Sequence, residues 1–397
     1  MPGIPSARRS SRNPRQVGPK LELARRRRQL ACAPIDRHRR WCAASQSLVR
    51  SRTGRSPRRR LKLFSRLIHA RSALSIGEAR FWSGCYLWVV KAAVTGVFSY
   101  SGRFIAEALL ARGSEVVAFG RSRPSTSESL AERVTFYPLL LDNEKALASA
   151  LSGCEVLFNT YWVRFEYGGV TFAQAVERSR RLFCAARRAG VGRIVHLSVS
   201  NASAGSPFPY FRGKAAVDDA LRRGGCAYAI LRPTLIFGGR QEVLVNNIAW
   251  LLRRLPLFLL PDGGRCHLQP VSVFDLARIA AELGETEGNV VLDLAGPETF
   301  TFADFVVQIR DAVGSHARLL AAPSRFVSAS SALAGFLLRD RLLTRDELGA
   351  LTADLLACET ATTESRFSDW LEANGSWLGS DYANELRRNW HPSRSHV

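Results

Sequence analysis

A serine, a tyrosine and a lysine stand in an order that can move a proton. Ser198 ends an apolar β run, and Tyr210-Phe211-Arg212-Gly213-Lys214 begins twelve residues later. Tyrosine and lysine four apart share one helix face. A free phenol, with a pKa of about 10, is a poor acid or base at neutral pH. An adjacent ammonium favours the phenolate, so Lys214 is expected to bring Tyr210 into useful range while the Ser198 hydroxyl orients a substrate carbonyl. The competing reading packs Tyr210 in the core and leaves Lys214 as surface charge. With 8 Tyr and 5 Lys in 397 residues, this spacing arises by chance only about 0.1 times, and chance must also place it after a strand.

A second constellation lies upstream. Thr95-Gly96-Val97-Phe98-Ser99-Tyr100-Ser101-Gly102 separates a β run from an amphipathic stretch. Gly96 can turn tightly, Gly102 lets a helix pack closely, and the helix N-terminus offers free N–H groups to a pyrophosphate. Thr95, Gly96, Ser99, Tyr100, Ser101 and Gly102 are therefore candidate cofactor contacts, with Asn159 at the end of a later strand. An ordinary glycine-bearing turn is the alternative, and Ser99 in place of a middle glycine weakens the motif. The next strand ends in Gly120-Arg121-Ser122-Arg123, without the acid that binds ribose hydroxyls in NAD sites. Arg121 or Arg123 can pair with a 2′-phosphate, so NADP(H) is expected, with NAD(H) second; solvated loop arginines are the plainer reading.

These residues need a scaffold, and the chain supplies an alternation. Apolar β runs at Val90–Thr95, Glu115–Gly120, Val134–Tyr137, Val156–Asn159, Arg193–Ser198 and Ala227–Arg232 are separated by helical patterns at Arg103–Arg112, Asn143–Leu151, Thr171–Arg188 and Lys214–Arg223. Alternating β and α units imply an α/β Rossmann fold, a doubly wound parallel sheet with right-handed crossovers. After Gly238 the pattern loosens into helices at Val245–Arg254, Phe274–Leu283, Phe302–Val313 and Thr344–Leu356, with short β candidates at Cys266–Val271 and Asn289–Leu294. The expected division is a cofactor domain over 89–238 and a smaller, mostly helical substrate lobe over 239–397, returning in part to the sheet.

Residues 1–88 are expected to be a disordered basic extension. Positions 1–90 hold 22 of the 56 Lys and Arg but only three acids, Glu22, Asp36 and Glu78, so they carry +19 of the formal +22. A nucleic-acid or membrane tail, a transit peptide and translated upstream sequence are the three readings of this segment. The third is favoured by 51 Arg against 5 Lys and a single Met, the bias of a GC-rich frame, with a native start near Val89 or Val90. Nucleic-acid contact is expected, if at all, only through residues 1–80. Apolar runs such as Phe81–Val90 and Leu255–Leu260 are too short to span a bilayer. Eight scattered cysteines without CxxC or paired histidines argue against zinc and disulfides. Together these features predict a cytoplasmic protein with reduced thiols, organellar only if the basic segment is a transit peptide.

From residue 90 to about 390 the chain resembles the atypical and extended short-chain dehydrogenase/reductase superfamily. It is similar to the NmrA-like and nucleoside-diphosphate-sugar epimerase/dehydratase-like groups and to the NADPH-binding accessory subunit of respiratory complex I. The marks are Thr95-Gly96, Ser198, Tyr210 to Lys214, Leu231-Arg232-Pro233-Thr234 with Phe237-Gly238, and Gln269 to Ala277. The resemblance implies a nicotinamide dinucleotide, Tyr210 as proton donor or acceptor, Lys214 holding Tyr210 and the nicotinamide ribose, and Pro233 and Thr234 beside the nicotinamide. Ser99, Leu140 and Phe274 depart from the pattern at a glycine, an adenine-contacting Asp and an acid before Leu276. Two functions are carried forward, an NADP(H)-dependent oxidoreductase or epimerase-like enzyme for a small carbonyl or hydroxyl compound and a noncatalytic NADPH-binding redox sensor or assembly factor. A nucleic-acid binder acting through its basic tail is the third.

Overall fold

The structure is a computed structural model, described over residues 90–121 and 129–389. The expected basic extension and Arg123 lie outside the described residues. From Lys91 the chain alternates: β1 (Lys91–Thr95), α1 (Tyr100–Ala111), β2 (Glu115–Gly120), the one-turn α2 (Ser129–Glu132), β3 (Thr135–Pro138), α3 (Glu144–Ala150), β4 (Val156–Asn159), α4 (Phe172–Arg188), β5 (Arg193–Leu197), α5 (Pro209–Arg223) and β6 (Ala227–Pro233). The following elements are β7 (Leu235–Phe237), α6 (Leu244–Arg254), β8 (Leu257–Pro261), β9 (His267–Leu268), β10 (Pro270–Ser272), α7 (Val273–Gly284), β11 (Val290–Leu294), β12 (Phe300–Thr301) and α8 (Phe302–Ala312). The chain ends through β13 (Arg318–Ala322), α9 (Ser324–Leu338), α10 (Arg345–Thr352), α11 (Phe367–Asn374) and α12 (Glu385–Asn389).

Seven strands form one parallel sheet in the order β11-β6-β5-β4-β1-β2-β3. Both faces are covered over the central strands, which are therefore apolar on both sides, while the edge strands β3 and β11 are partly exposed. Along β1, Ala92 and Val94 join the layer built by α1 and α7, while Ala93 faces the layer of α3, α4 and α5. Leu109, Leu276 and Leu283 fill the first layer; Leu147, Leu182 and Leu221 fill the second. The doubly wound sheet is the one the alternation predicts, and the β candidate at Asn289–Leu294 becomes its edge strand β11, in register with β6 through Arg232 opposite Asp293.

Local chemistry sets the helix ends. Thr171 and Gln174 form a reciprocal capping box that starts α4, and Asn143 accepts from the Ala146 N–H to start α3. Helix α5 begins at Pro209 rather than at the expected Lys214, because proline suits a first turn whose N–H groups lack intrahelical partners. Tyr210 thus sits in the first turn. The remaining elements enclose their own core, with Phe237, Ile248, Phe305 and Phe367 at its centre, braced by three two-stranded sheets. Among the described residues no helix is long and apolar enough to cross a membrane, no group of side chains is arranged to hold a metal, and the cysteines are free.

Candidate functional site

The carboxyl ends of the strands open into a cleft of about 2420 Å³, well above the roughly 300–1,000 Å³ of an ordinary small-ligand pocket. Its first wall is the turn after β1. Gly96 adopts φ +68°, a left-handed conformation that L side chains resist, and its N–H donates to Phe119 O at 2.7 Å. A Cβ on Gly102 would lie 2.1 Å from the Gly96 carbonyl oxygen. The turn therefore packs α1 directly against β1, aiming the free first-turn N–H groups into the cleft lined by Gly96, Ser99, Tyr100 and Ser101. This cradle fits a pyrophosphate.

Thr95 and Asn159 have different places from those expected. Both are fully buried and neither lines the cleft. The Thr95 hydroxyl accepts from the N–H groups of Thr160 at 2.8 Å and Tyr161 at 3.1 Å, and it lies 3.2 Å from Asn159 Oδ1. Asn159 Nδ2 approaches His196 Nδ1 at 3.1 Å. Their polar atoms are engaged in stitching β1, β4 and β5, which corrects the reading of them as cofactor contacts: they position the turn. The Tyr100 ring borders the cleft, but its hydroxyl donates to Gly238 O at 2.8 Å.

Arg121 lines the cleft at the end of β2, where the sequence places it. Sequence reasoning missed Arg178, which reaches the same wall from α4 and pairs with Asp142 at 3.1 Å. Burial raises the Tyr161 phenol, and the charges of Arg178 and Arg121 pull it back. No sequence signal separates Arg178 from the four other arginines of α4. Leu140 borders this end of the cleft and is exposed, and Phe274, the other departure, packs edge-on to Phe104 at 5.0 Å, docking α7 on α1.

Ser198, Tyr210 and Lys214 all line the cleft, with Pro233 and Thr234. Ser198 Oγ is buried without a hydrogen-bond partner among the described residues. The Thr234 hydroxyl is used internally, donating to Gln269 O. Lys214 does not bond Tyr210. Its Nζ donates to Leu197 O at 2.8 Å and lies 4.9 Å from the centre of the Trp162 ring. Burial drives its pKa down to about 7, with Asp218 opposing. Trp162 meets Tyr210 edge-on at 5.9 Å, and a Cβ on Gly213 would come within 2.8 Å of its ring. The indole is thus wedged against α5 between the tyrosine and the lysine. Burial, with Glu347 adding to it and Arg164 opposing, raises the Tyr210 phenol well above its ordinary value. The expected lowering by Lys214 is not what this arrangement produces.

Arg164 closes the site. It pairs with Glu347 on α10 and Glu385 on α12 and donates to Leu342 O at 3.0 Å.

Residues 99–244 match the NAD(P)H-binding family. That match marks these residues as an NAD(P)H-binding domain. The chain is 23% identical to the mitochondrial NADH dehydrogenase (ubiquinone) 1 alpha subcomplex subunit 9 of Arabidopsis thaliana, over 68% of this chain and 72% of that protein. In fold the chain is similar to the Citrobacter triphenylmethane reductase complexed with NADP(H), at TM-score 0.59 and 17% identity over 72% and 99% of the two chains. It is also similar to the Escherichia coli NADPH-dependent quinone oxidoreductase complexed with NADPH, at TM-score 0.55 and 21% identity over 75% and 97%.

Proposed function

We propose that the chain is an NADP(H)-dependent oxidoreductase or epimerase-like enzyme acting on a small carbonyl or hydroxyl compound. The observation that carries this reading is one continuous cleft wall joining the Gly96–Gly102 cradle to Ser198, Tyr210 and Lys214. A bound nicotinamide supplies the hydride chemistry. The N–H groups opening α1 hold the pyrophosphate, Arg121 and Arg178 take the 2′-phosphate, and Pro233 and Thr234 wall the nicotinamide end. The unpartnered Ser198 hydroxyl donates to a substrate oxygen. Tyr210, kept as a neutral phenol, is in the state that gives a proton, which is the direction carbonyl reduction needs. In this reading residues 89–238 bind cofactor, residues 239–397 complete the substrate side, and the protein works in the cytoplasm.

The test is a pair of measurements. Titration should give NADPH affinity at least tenfold above NADH, about 1.4 kcal/mol and within reach of one charge-assisted contact; equal affinities would remove the 2′-phosphate role of the arginines. NADPH consumption should appear with some member of a carbonyl panel, and Tyr210→Phe should lower it roughly a hundredfold while leaving cofactor affinity intact. The second reading, a noncatalytic NADPH-binding sensor or assembly factor, draws on the Trp162 indole between Tyr210 and Lys214. Tight NADPH binding without turnover, in the native chain and in Trp162→Leu alike, would establish it.

A further inference from the structure

Helix α9 turns apolar side chains to solvent. Phe326 is 55% exposed, Leu333 64%, Phe336 79% and Leu337 72%. At 3.6 residues per turn, Phe326, Leu333 and Leu337 fall within about 40° of one another, with Phe336 about 60° from Leu333, so the four make one stripe. No charged residue occurs in the thirteen positions from Phe326 to Leu338, and arginines bracket the run, Arg325 before it and Arg339 after it, while Arg341 is turned onto the Phe165 and Tyr167 rings at the cleft. The Arg325 guanidinium lies 5.2 Å from the Phe326 ring centre. Asp340 does not offset the arginines, because it is buried and accepts from the Tyr382 hydroxyl and from the N–H groups of Glu385 and Leu386. At the other end Asp262 is occupied with the N–H and hydroxyl of Ser324.

The charges decide what covers this stripe. A second copy paired through a two-fold axis across the helix sets Arg325 of one copy beside Arg339 of the other, and one paired through an axis along the helix sets each arginine beside its own counterpart, so either dimer juxtaposes like charges. An anionic bilayer satisfies both features at once: the stripe enters the boundary between headgroups and acyl chains while the flanking arginines reach lipid phosphates. We infer that α9 is an interfacial helix that seats the protein on an anionic lipid surface. The opposite face of α9, through Val327, Ser328, Ser331 and Ala334, lines the cleft, so the seated protein holds its cleft wall against the lipid. This assignment is independent of cofactor and turnover.

The experiment is co-sedimentation of the full chain with phosphatidylcholine vesicles containing about one-third phosphatidylglycerol, in about 0.3 M salt. The Debye length there is about 6 Å, which suppresses purely electrostatic attachment by arginines outside α9. The native chain should sediment with these vesicles at least tenfold more than with phosphatidylcholine alone. Combining Leu333→Ser, Phe336→Ser and Leu337→Ser, all at exposed positions, should lower partitioning at least tenfold without moving the melting curve. Equal partitioning of native and triply substituted chains would overturn the inference, as would equal binding to neutral vesicles. A native dimer in solution that the triple substitution converts to monomer would overturn it in favour of a second copy.

Discussion

At the scale of single residues, the site is a set of buried polar groups whose surroundings choose their protonation. Lys214 is 3% exposed and its pKa stands at about 7, against an ordinary 10.5. Between those values the unfolded chain binds more protons than the folded one, so the lysine's destabilising effect is full below pH 7 and fades as pH rises toward 10.5. Lys214→Met keeps the stem and removes the charge. It should raise stability by about 2 kcal/mol at pH 6, after the lost bond to Leu197 O is allowed for, with the gain vanishing near pH 10 in thermal melts. A gain that does not change with pH would refute the burial argument. Ser198, Tyr210 and Lys214 were legible in the sequence because side-chain type and spacing carry their chemistry. The Trp162 wedge was not, although Gly213 held the clue. Glycine inside a helix costs about 1 kcal/mol relative to alanine, and here it admits an indole that any Cβ would strike.

The elements that carry these residues were read with unequal success, and burial explains the difference. Strands β1, β2 and β4 to β6 fell where the apolar runs place them because both faces of a parallel sheet are covered and their middle positions read mostly apolar, whereas β3 at the sheet edge is largely exposed. Helix α9 left no such mark, since its apolar stripe faces outward and its inner face holds serines and alanines against the cleft. Nor could periodicity find the start of α5, which proline fixes. The junction of β1 with α1 is a tight one. In Gly102→Ala the added methyl would meet backbone oxygens of Gly96 and Thr95, which cannot rotate aside as a side chain can. The helix must lift from the sheet, carrying the N–H groups with it. Gly102→Ala should lose about 2–3 kcal/mol in denaturant unfolding and at least tenfold in NADPH affinity. Retained affinity would show that the cradle does not hold the pyrophosphate.

Across the whole molecule, contacts between residues far apart in the chain decide how the cleft is covered, and no local pattern reveals them. The segment after α9 is tied down by Arg164, whose partners Glu347 and Glu385 lie 183 and 221 positions away. Burial raises the Glu385 pKa, Arg164 opposes that, and the neighbouring Glu347 and Asp340 add to it. Arg164→Met keeps the side chain's bulk but strands two carboxylates in a poorly solvated place, at a cost of about 2–4 kcal/mol at pH 7. Without the guanidinium the Glu385 pKa climbs further above 4.5. From 4.5 up to that value the folded variant holds a proton that the unfolded chain has released, so its stability falls as pH rises through the window. The deficit relative to the native protein should be smallest near pH 5 and complete by about pH 8, measured by paired thermal melts. A deficit that is constant across this range would mean that Arg164 acts by packing alone, and that the cover over the cleft does not depend on its charge.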